Sequence, residues 1–264
     1  MFLQPIDFAS MYRDHKAATD FKGKSSADWD DKSSDMAVSV INSPYVDEFI
    51  SRMNLGGDEV VLDIGCGPGT LAVPLAKRVR EVIAIDFSRG MLDELEAYAA
   101  REGVSNIKTY HIGWEDDWSA LPRADIVVAS RSMEVADMEA ALRKMSSHAA
   151  KACYLTYKVG GSFVDMNILD FIGKKVTTKP DYWYIPLLLY AQGYLPRIDY
   201  IETGRGSVRA GSADEFVESL IWSVHHLDEA QQARAREYYE KVIVGENRPP
   251  RAVNWAFIGW ETAQ

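Results

Sequence analysis

The chain predicts a doubly wound α/β fold, and three observations carry that prediction. Short apolar runs alternate with amphipathic helical patterns over 45–160, the order that builds a parallel sheet covered on both faces. The first run, Glu59-Val60-Val61-Leu62-Asp63-Ile64, breaks into Gly65-Cys66-Gly67-Pro68-Gly69-Thr70, and a helical pattern starts at Leu71. The second run, Val82-Ile83-Ala84-Ile85, ends on an acid, Asp86. Glycine serves where backbone turns with positive φ or where a ligand comes too close for a Cβ. A strand, a glycine loop and a helix start therefore mark a binding place, with the helix N-terminus turned toward it.

Taken in order, residues 1 to about 35 are polar and mixed, with Lys22-Gly23-Lys24-Ser25-Ser26 at their centre and Phe8, Tyr12, Phe21 and Trp29 as scattered aromatics. With so few apolar anchors this segment is expected to be mobile until a ligand orders it; a solvated, frayed extension is the alternative. Ser43-Pro44 caps a helix over 45–53. After the glycine loop a helix is expected over 71–79, with Pro74 in its first turn. Ser88 caps a helix over 89–102 whose apolar face is Met91, Leu92, Leu95 and Tyr98, and Gly103 stops it. Strands follow at 107–112 and 125–130, the latter near-continuously apolar as a doubly covered strand must be. A helix at 138–147 and a strand at 152–157 come next. The Lys-rich stretch 158–180 reads as irregular. Beyond it lie a buried helix at 184–190, a strand at 197–202, two amphipathic helices at 213–225 and 228–243, and a last strand at 255–260.

At 264 residues the chain suits one large domain. A net charge of −10 makes a phosphate backbone an unfavourable partner. The two cysteines, Cys66 and Cys153, give no disulfide framework, which fits a reducing cytoplasm. No signal-peptide pattern opens the sequence, and the longest uncharged stretch, 182–196, is too short to span a bilayer. A cytoplasmic protein without membrane or metal partners is expected.

The stretch V-L-D-I-G-C-G-P-G-T followed by I-D-F-S-R-G-M-L resembles the class I S-adenosylmethionine-dependent methyltransferases. The resemblance is strong over 45–160 and rests on element order alone over 184–262. It implies a Rossmann-like, seven-stranded mixed sheet whose antiparallel last strand lies between strands five and six. One domain, 1–264, then divides into an N-terminal cover (1–44), a core (45–203 and 251–264) and a helical insertion (204–250). Ala27-Asp28-Trp29-Asp30-Asp31-Lys32 resembles the W-D-x-K/R segment that covers the cofactor in small-molecule members.

By the same resemblance Asp63, Gly65, Gly67 and Gly69 shape the pocket for the methionine and ribose parts of S-adenosylmethionine, and Cys66 packs rather than reacts. Asp86 takes the ribose hydroxyls, as an acid about 20 residues past the loop does in nucleotide-binding sheets. Phe87 and Met91 lie against the adenine, although Met91 also fits a plain core role. Trp114 stands where the family places the acid that holds the adenine amine, so Glu115 or Asp116 is expected to serve. Ser130 and Arg131 face the methionine end and the acceptor; Arg131 either grips a carboxylate or pairs with Glu134. Should the acceptor need a base, His15, Glu134, Tyr157 and His111 are the candidates. The N-P-P-Y motif of amino-methylating nucleic-acid enzymes is missing, Ser130-Arg131-Ser132-Met133 standing in its place, and so is the Pro-Cys pair of cytosine-5 enzymes. A small-molecule methyl acceptor is the expectation. A non-catalytic S-adenosylmethionine-binding protein and an NAD-dependent oxidoreductase are the rivals, the latter disfavoured by the glycine spacing.

Overall fold

The computed structural model describes residues 6–21, 23–40, 43–162, 164–203, 210–246 and 253–262. The ends of the expected insertion, 204–209 and 247–250, lie outside them, as do residues 251–252 of the expected core. Strands β1 (Val60–Ile64), β2 (Glu81–Asp86), β3 (Ile107–His111), β4 (Ala124–Ser130), β5 (Ala149–Lys158), β6 (Arg197–Thr203) and β7 (Val253–Glu261) form one sheet in the order β3-β2-β1-β4-β5-β7-β6. β1 pairs in parallel with β2 on one side and β4 on the other, so the chain reverses direction across the sheet between them. A crevice opens there beyond the carboxyl ends. β7 runs antiparallel between β5 and β6, as expected from the sequence.

Alternate residues of the strands feed two cores, because successive side chains point to opposite faces. Val61, Val82, Ala84, Ile126 and Val128 bury against α3 (Pro44–Ser51), α4 (Ala72–Ala76) and α5 (Arg89–Arg101). Leu62, Ile64, Ile83, Ile85, Val127 and Ala129 bury against α6 (Met138–His148) and α8 (Tyr184–Ala191).

Three features differ from the sequence expectation, and the two helices expected before the last strand form where they were expected. The helix after the glycine loop is one short turn rather than 71–79: the Asn106 side chain donates to the carbonyls of Ala76, Val79 and Arg80, which ties the chain down early. Five residues make a weak helix dipole, so the loop's own N–H groups matter more than the helix end. The stretch 158–180 contains a helix, α7 (Met166–Ile172), capped by Asp165 and stopped by Gly173 at φ 72°. At seven residues it is too short for periodicity to reveal it. The helices α9 (Ala213–Val224) and α10 (Glu229–Tyr238), with a π-helical turn at Tyr239–Val244, share an accessory core with α7 and Phe21. The N-terminal segment forms α1 (Phe8–Ala18) and α2 (Ser26–Val40), and it is anchored: Tyr12 is buried in the sheet core, its hydroxyl donating to the Val135 carbonyl at 2.9 Å, and Phe21 is buried in the accessory core.

Candidate cofactor and acceptor site

The glycine loop is folded back on the sheet. Gly65 and Cys66 donate their N–H groups to the Ile85 carbonyl at 2.8 and 3.1 Å, which brings the end of β1 under the end of β2. Gly65 has φ 63°, and a Cβ on it would stand 2.4 Å from that of Ser132, so no other residue fits. Ser132 in turn donates its hydroxyl to the Ile64 carbonyl at 2.6 Å, locking the segment after β4 against the loop. Gly67, at φ 54°, is different: a Cβ there would meet nothing within 4 Å, so its bare backbone faces open space. Cys66 is buried, and burial followed by the charges of Asp63 and Asp86 pushes its thiol well up, which leaves it a packing residue.

Two buried acids lie beneath this loop. Asp86 accepts the Gly67 N–H on Oδ2 and the Ser88 N–H on Oδ1, each at 2.9 Å. Burial raises its carboxyl nonetheless, those N–H groups offsetting part of the effect. Asp63 is fully buried, and among the described residues its Oδ2 has no hydrogen-bond partner. Burial first, and the neighbouring Asp86 second, push the Asp63 carboxyl up to about 7. A buried acceptor without a donor costs about 1–3 kcal/mol, and a pair of buried carboxylates costs more unless a cation or donor meets them.

Next to this pair, Ser88 caps α5 by accepting the Met91 N–H at 3.1 Å and donates its hydroxyl to Asp30. Asp30 also accepts the Gly90 N–H at 3.0 Å. The acid from α2 thus closes the N-terminus of α5 beside Asp86. Met91 is buried under this turn, while Phe87 stays 40% exposed and its carbonyl accepts from His111 Nε2 at 2.9 Å.

Trp114 takes an architectural part. Its ring packs on Trp118 with centroids 5.4 Å apart, and its Nε1 donates to the Ser132 carbonyl at 2.8 Å. Lys144 donates to the Trp114 and Asp116 carbonyls, and Asp116 accepts the Gly113 N–H at 2.7 Å. The carboxylate of Asp116 is therefore partly engaged, and Glu115 is exposed.

At the ends of β4 and β5 a second polar group gathers. The Tyr45 hydroxyl lies 2.7 Å from Ser130 Oγ and 2.6 Å from Thr156 Oγ1. Thr156 also accepts the Arg131 N–H at 3.1 Å. Arg131 has φ 59°, and its guanidinium carbon sits 4.3 Å from the Tyr45 ring centroid. It does not pair with Glu134: that carboxylate lies 2.8 Å from Lys16 and 3.0 Å from Lys179. Burial pushes the Glu134 carboxyl up, but the two lysines outweigh it and hold it below its usual value, which makes it a poor base. His15 donates Nε2–H to the Thr178 carbonyl at 3.1 Å, with Nδ1 3.4 Å from the Tyr184 hydroxyl. Tyr157 is buried, and burial first, then the neighbouring Tyr12 and Glu134, hold its hydroxyl well above the usual phenol value, so it stays protonated.

The structure thus brings Asp63, Gly65, Gly67, Asp86 and Ser130 to the ends of three adjacent strands. Sequence reasoning placed Ser132 with Ser130 and Arg131 after the fourth strand but missed Asp30, Tyr45 and Thr156 as parts of the site. Asp30 lies in the quoted W-D-D-K segment, whereas nothing local marks the other two.

A methyltransferase-domain family model matches residues 61–152. An uncharacterized protein of Haemophilus influenzae is 34% identical over 265 residues, covering 98% of each chain. A 23S rRNA (uracil(1939)-C(5))-methyltransferase of Aeromonas hydrophila is 34% identical over only 70 residues, 26% of this chain and 16% of that protein. In fold, the chain resembles the YcgJ protein of Bacillus subtilis, with a TM-score of 0.57 at 16% identity, over 83% of this chain and 98% of that one. The glycine loop, the acid-tipped second strand, the strand order and these matches agree: the chain belongs to the class I S-adenosylmethionine-dependent methyltransferases.

Proposed function

We propose that the chain binds S-adenosylmethionine at the carboxyl ends of β1, β2 and β4 and transfers its methyl group to a small molecule. The observation that carries the cofactor assignment is the unpartnered, fully buried Asp63 carboxylate oxygen beside a second buried acid. A pair of acids under a glycine loop fits a ligand bearing an ammonium, a sulfonium and ribose hydroxyls. It opposes the pyrophosphate of NAD, which would bring negative charge to the same loop. Gly67 leaves its backbone bare for such a ligand, and Asp86 has lone pairs left for hydroxyl donors after accepting two N–H groups.

When bound, the sulfonium supplies an activated methyl group, so this chain's residues have to align the acceptor and shield it from water. His15 has its Nε2–H held by Thr178 and turns its Nδ1 lone pair to the Tyr184 hydroxyl 3.4 Å away, and Glu134 is bound by two lysines, so neither reads as a ready base. A nucleophile that has already lost its proton at working pH, such as a carboxylate or an uncharged amine, needs none in the transfer step. The net charge of −10 supports a small acceptor over RNA, and α1, α2 and the accessory helices furnish walls for it.

Thermal denaturation with S-adenosylhomocysteine and with NAD tests the cofactor. The former is expected to raise Tm, since a ligand at a hundredfold its Kd stabilises the native state by about 2.7 kcal/mol; a shift with NAD alone would reverse the assignment. Incubating the enzyme and methyl-labelled cofactor with fractionated cell extract tests the acceptor. Label is expected in acid-soluble metabolites, and label confined to RNA would refute a small acceptor.

A further inference from the structure

Resting on that cofactor reading, we propose that Arg131 is a carboxylate-binding residue at the reacting end of the site. Its backbone is in the left-handed region at φ 59°, a conformation that residues with a Cβ adopt at a cost and keep mainly where function holds them. The hydrogen bond from its N–H to Thr156 Oγ1 fixes it there. The side chain lies over two rings, its guanidinium carbon 4.3 Å from the Tyr45 centroid and 5.8 Å from that of Trp255. Those faces answer its charge in part, but a ring face does not use the fork of N–H donors.

Among the described residues no carboxylate pairs with it, and the acid nearest in sequence, Glu134, is held by Lys16 and Lys179. Arg131 is also well placed. Its neighbour Ser132 packs where a Gly65 Cβ would be and donates to the end of β1, which puts Arg131 beside the glycine loop. A pre-oriented, half-buried guanidinium with free donors is suited to a bidentate carboxylate. Two ligands can bring one: the methionyl part of the cofactor, or the acceptor.

The experiment uses the full chain as wild type, Arg131→Gln and Arg131→Gly. The glycine variant accepts the left-handed backbone without strain, so it should fold with a Tm close to wild type even if the glutamine variant does not. Calorimetry compares S-adenosylhomocysteine with its decarboxylated analogue, S-adenosyl-3-thiopropylamine, and formate is titrated against the Arg131 Nε–H resonance with S-adenosylhomocysteine present. A tenfold or greater preference for S-adenosylhomocysteine that both variants abolish assigns the cofactor's carboxylate. An unchanged preference with a saturable formate shift, absent from the variants, assigns a carboxylate on the acceptor. Equal cofactor affinities in all three proteins and no formate shift overturn the proposal. A wild type that binds no S-adenosylhomocysteine sinks the cofactor reading instead, and formate titration of the free protein then still decides the role of Arg131.

Discussion

Asp63 concentrates the chemistry of the site in one carboxyl group. Its folded value, about 7, lies above the unfolded carboxylate value, so the folded state holds its proton more tightly. The contribution to stability is complete below about pH 4, where both states are protonated, and is lost as pH rises toward 7. Between those limits the loss is on the order of 4 kcal/mol at about 1.36 kcal/mol per unit. Urea denaturation of the free protein should therefore give lower stability at pH 8 than at pH 5, and Asp63→Asn should flatten that difference. Equal pH dependence in both proteins would mean that Asp63 is solvated or partnered. Asp86 behaves otherwise. Because its oxygens hold the Gly67 and Ser88 N–H groups, Asp86→Ala should lower the urea midpoint as well as the affinity.

Among elements, α2 is the most informative, because it is fastened at both ends of the proposed site. Asp30 caps α5 through Ser88 and Gly90, and Trp29 meets Trp222 of α9 edge to face at 6.4 Å. Lys24 adds a hydrogen bond to the Trp222 carbonyl at 2.6 Å and lies 4.2 Å from that ring's centroid. Trp222→Ala should loosen α2 without unfolding the sheet, seen as faster hydrogen exchange over 26–34 and unchanged exchange in β1, β2 and β4. Exchange equally slow in the variant would show that Asp30 alone retains the helix. Removing 1–35 altogether is a harsher change. It strips Tyr12 and Phe21 from two cores, each worth about 3–5 kcal/mol when truncated to alanine. The truncated chain should melt well below wild type, and an unchanged Tm would make both contacts dispensable.

At the scale of the whole molecule, the sheet was legible in the sequence and its periphery was not. Apolar runs such as Val82-Ile83-Ala84-Ile85 specify doubly covered strands with little ambiguity, and the glycine loop and Asp86 mark where the carboxyl ends open. The order of the outer strands came from resemblance, and the β7 register bears it out. What stayed hidden depends on contacts distant along the chain. Helix α7 is only seven residues long and is stabilised by α9, α10 and Phe21, which no local pattern announces. Tyr12 reads as one aromatic in a polar segment until its hydroxyl is seen to reach Val135, 123 residues away. The ring of Tyr45 shows its purpose only beside Arg131, Ser130 and Thr156.

The central claim is that a class I methyltransferase cofactor binds over the acids of β1 and β2, and isothermal calorimetry of S-adenosylhomocysteine with wild type and Asp86→Ala tests it most directly. Wild type should bind the ligand, and the variant, shown folded by circular dichroism, should lose about 1.5–3 kcal/mol for a charge-assisted hydrogen bond, roughly 10- to 150-fold in Kd. Equal affinity in the two proteins, or binding of NAD with none of S-adenosylhomocysteine, would contradict the account.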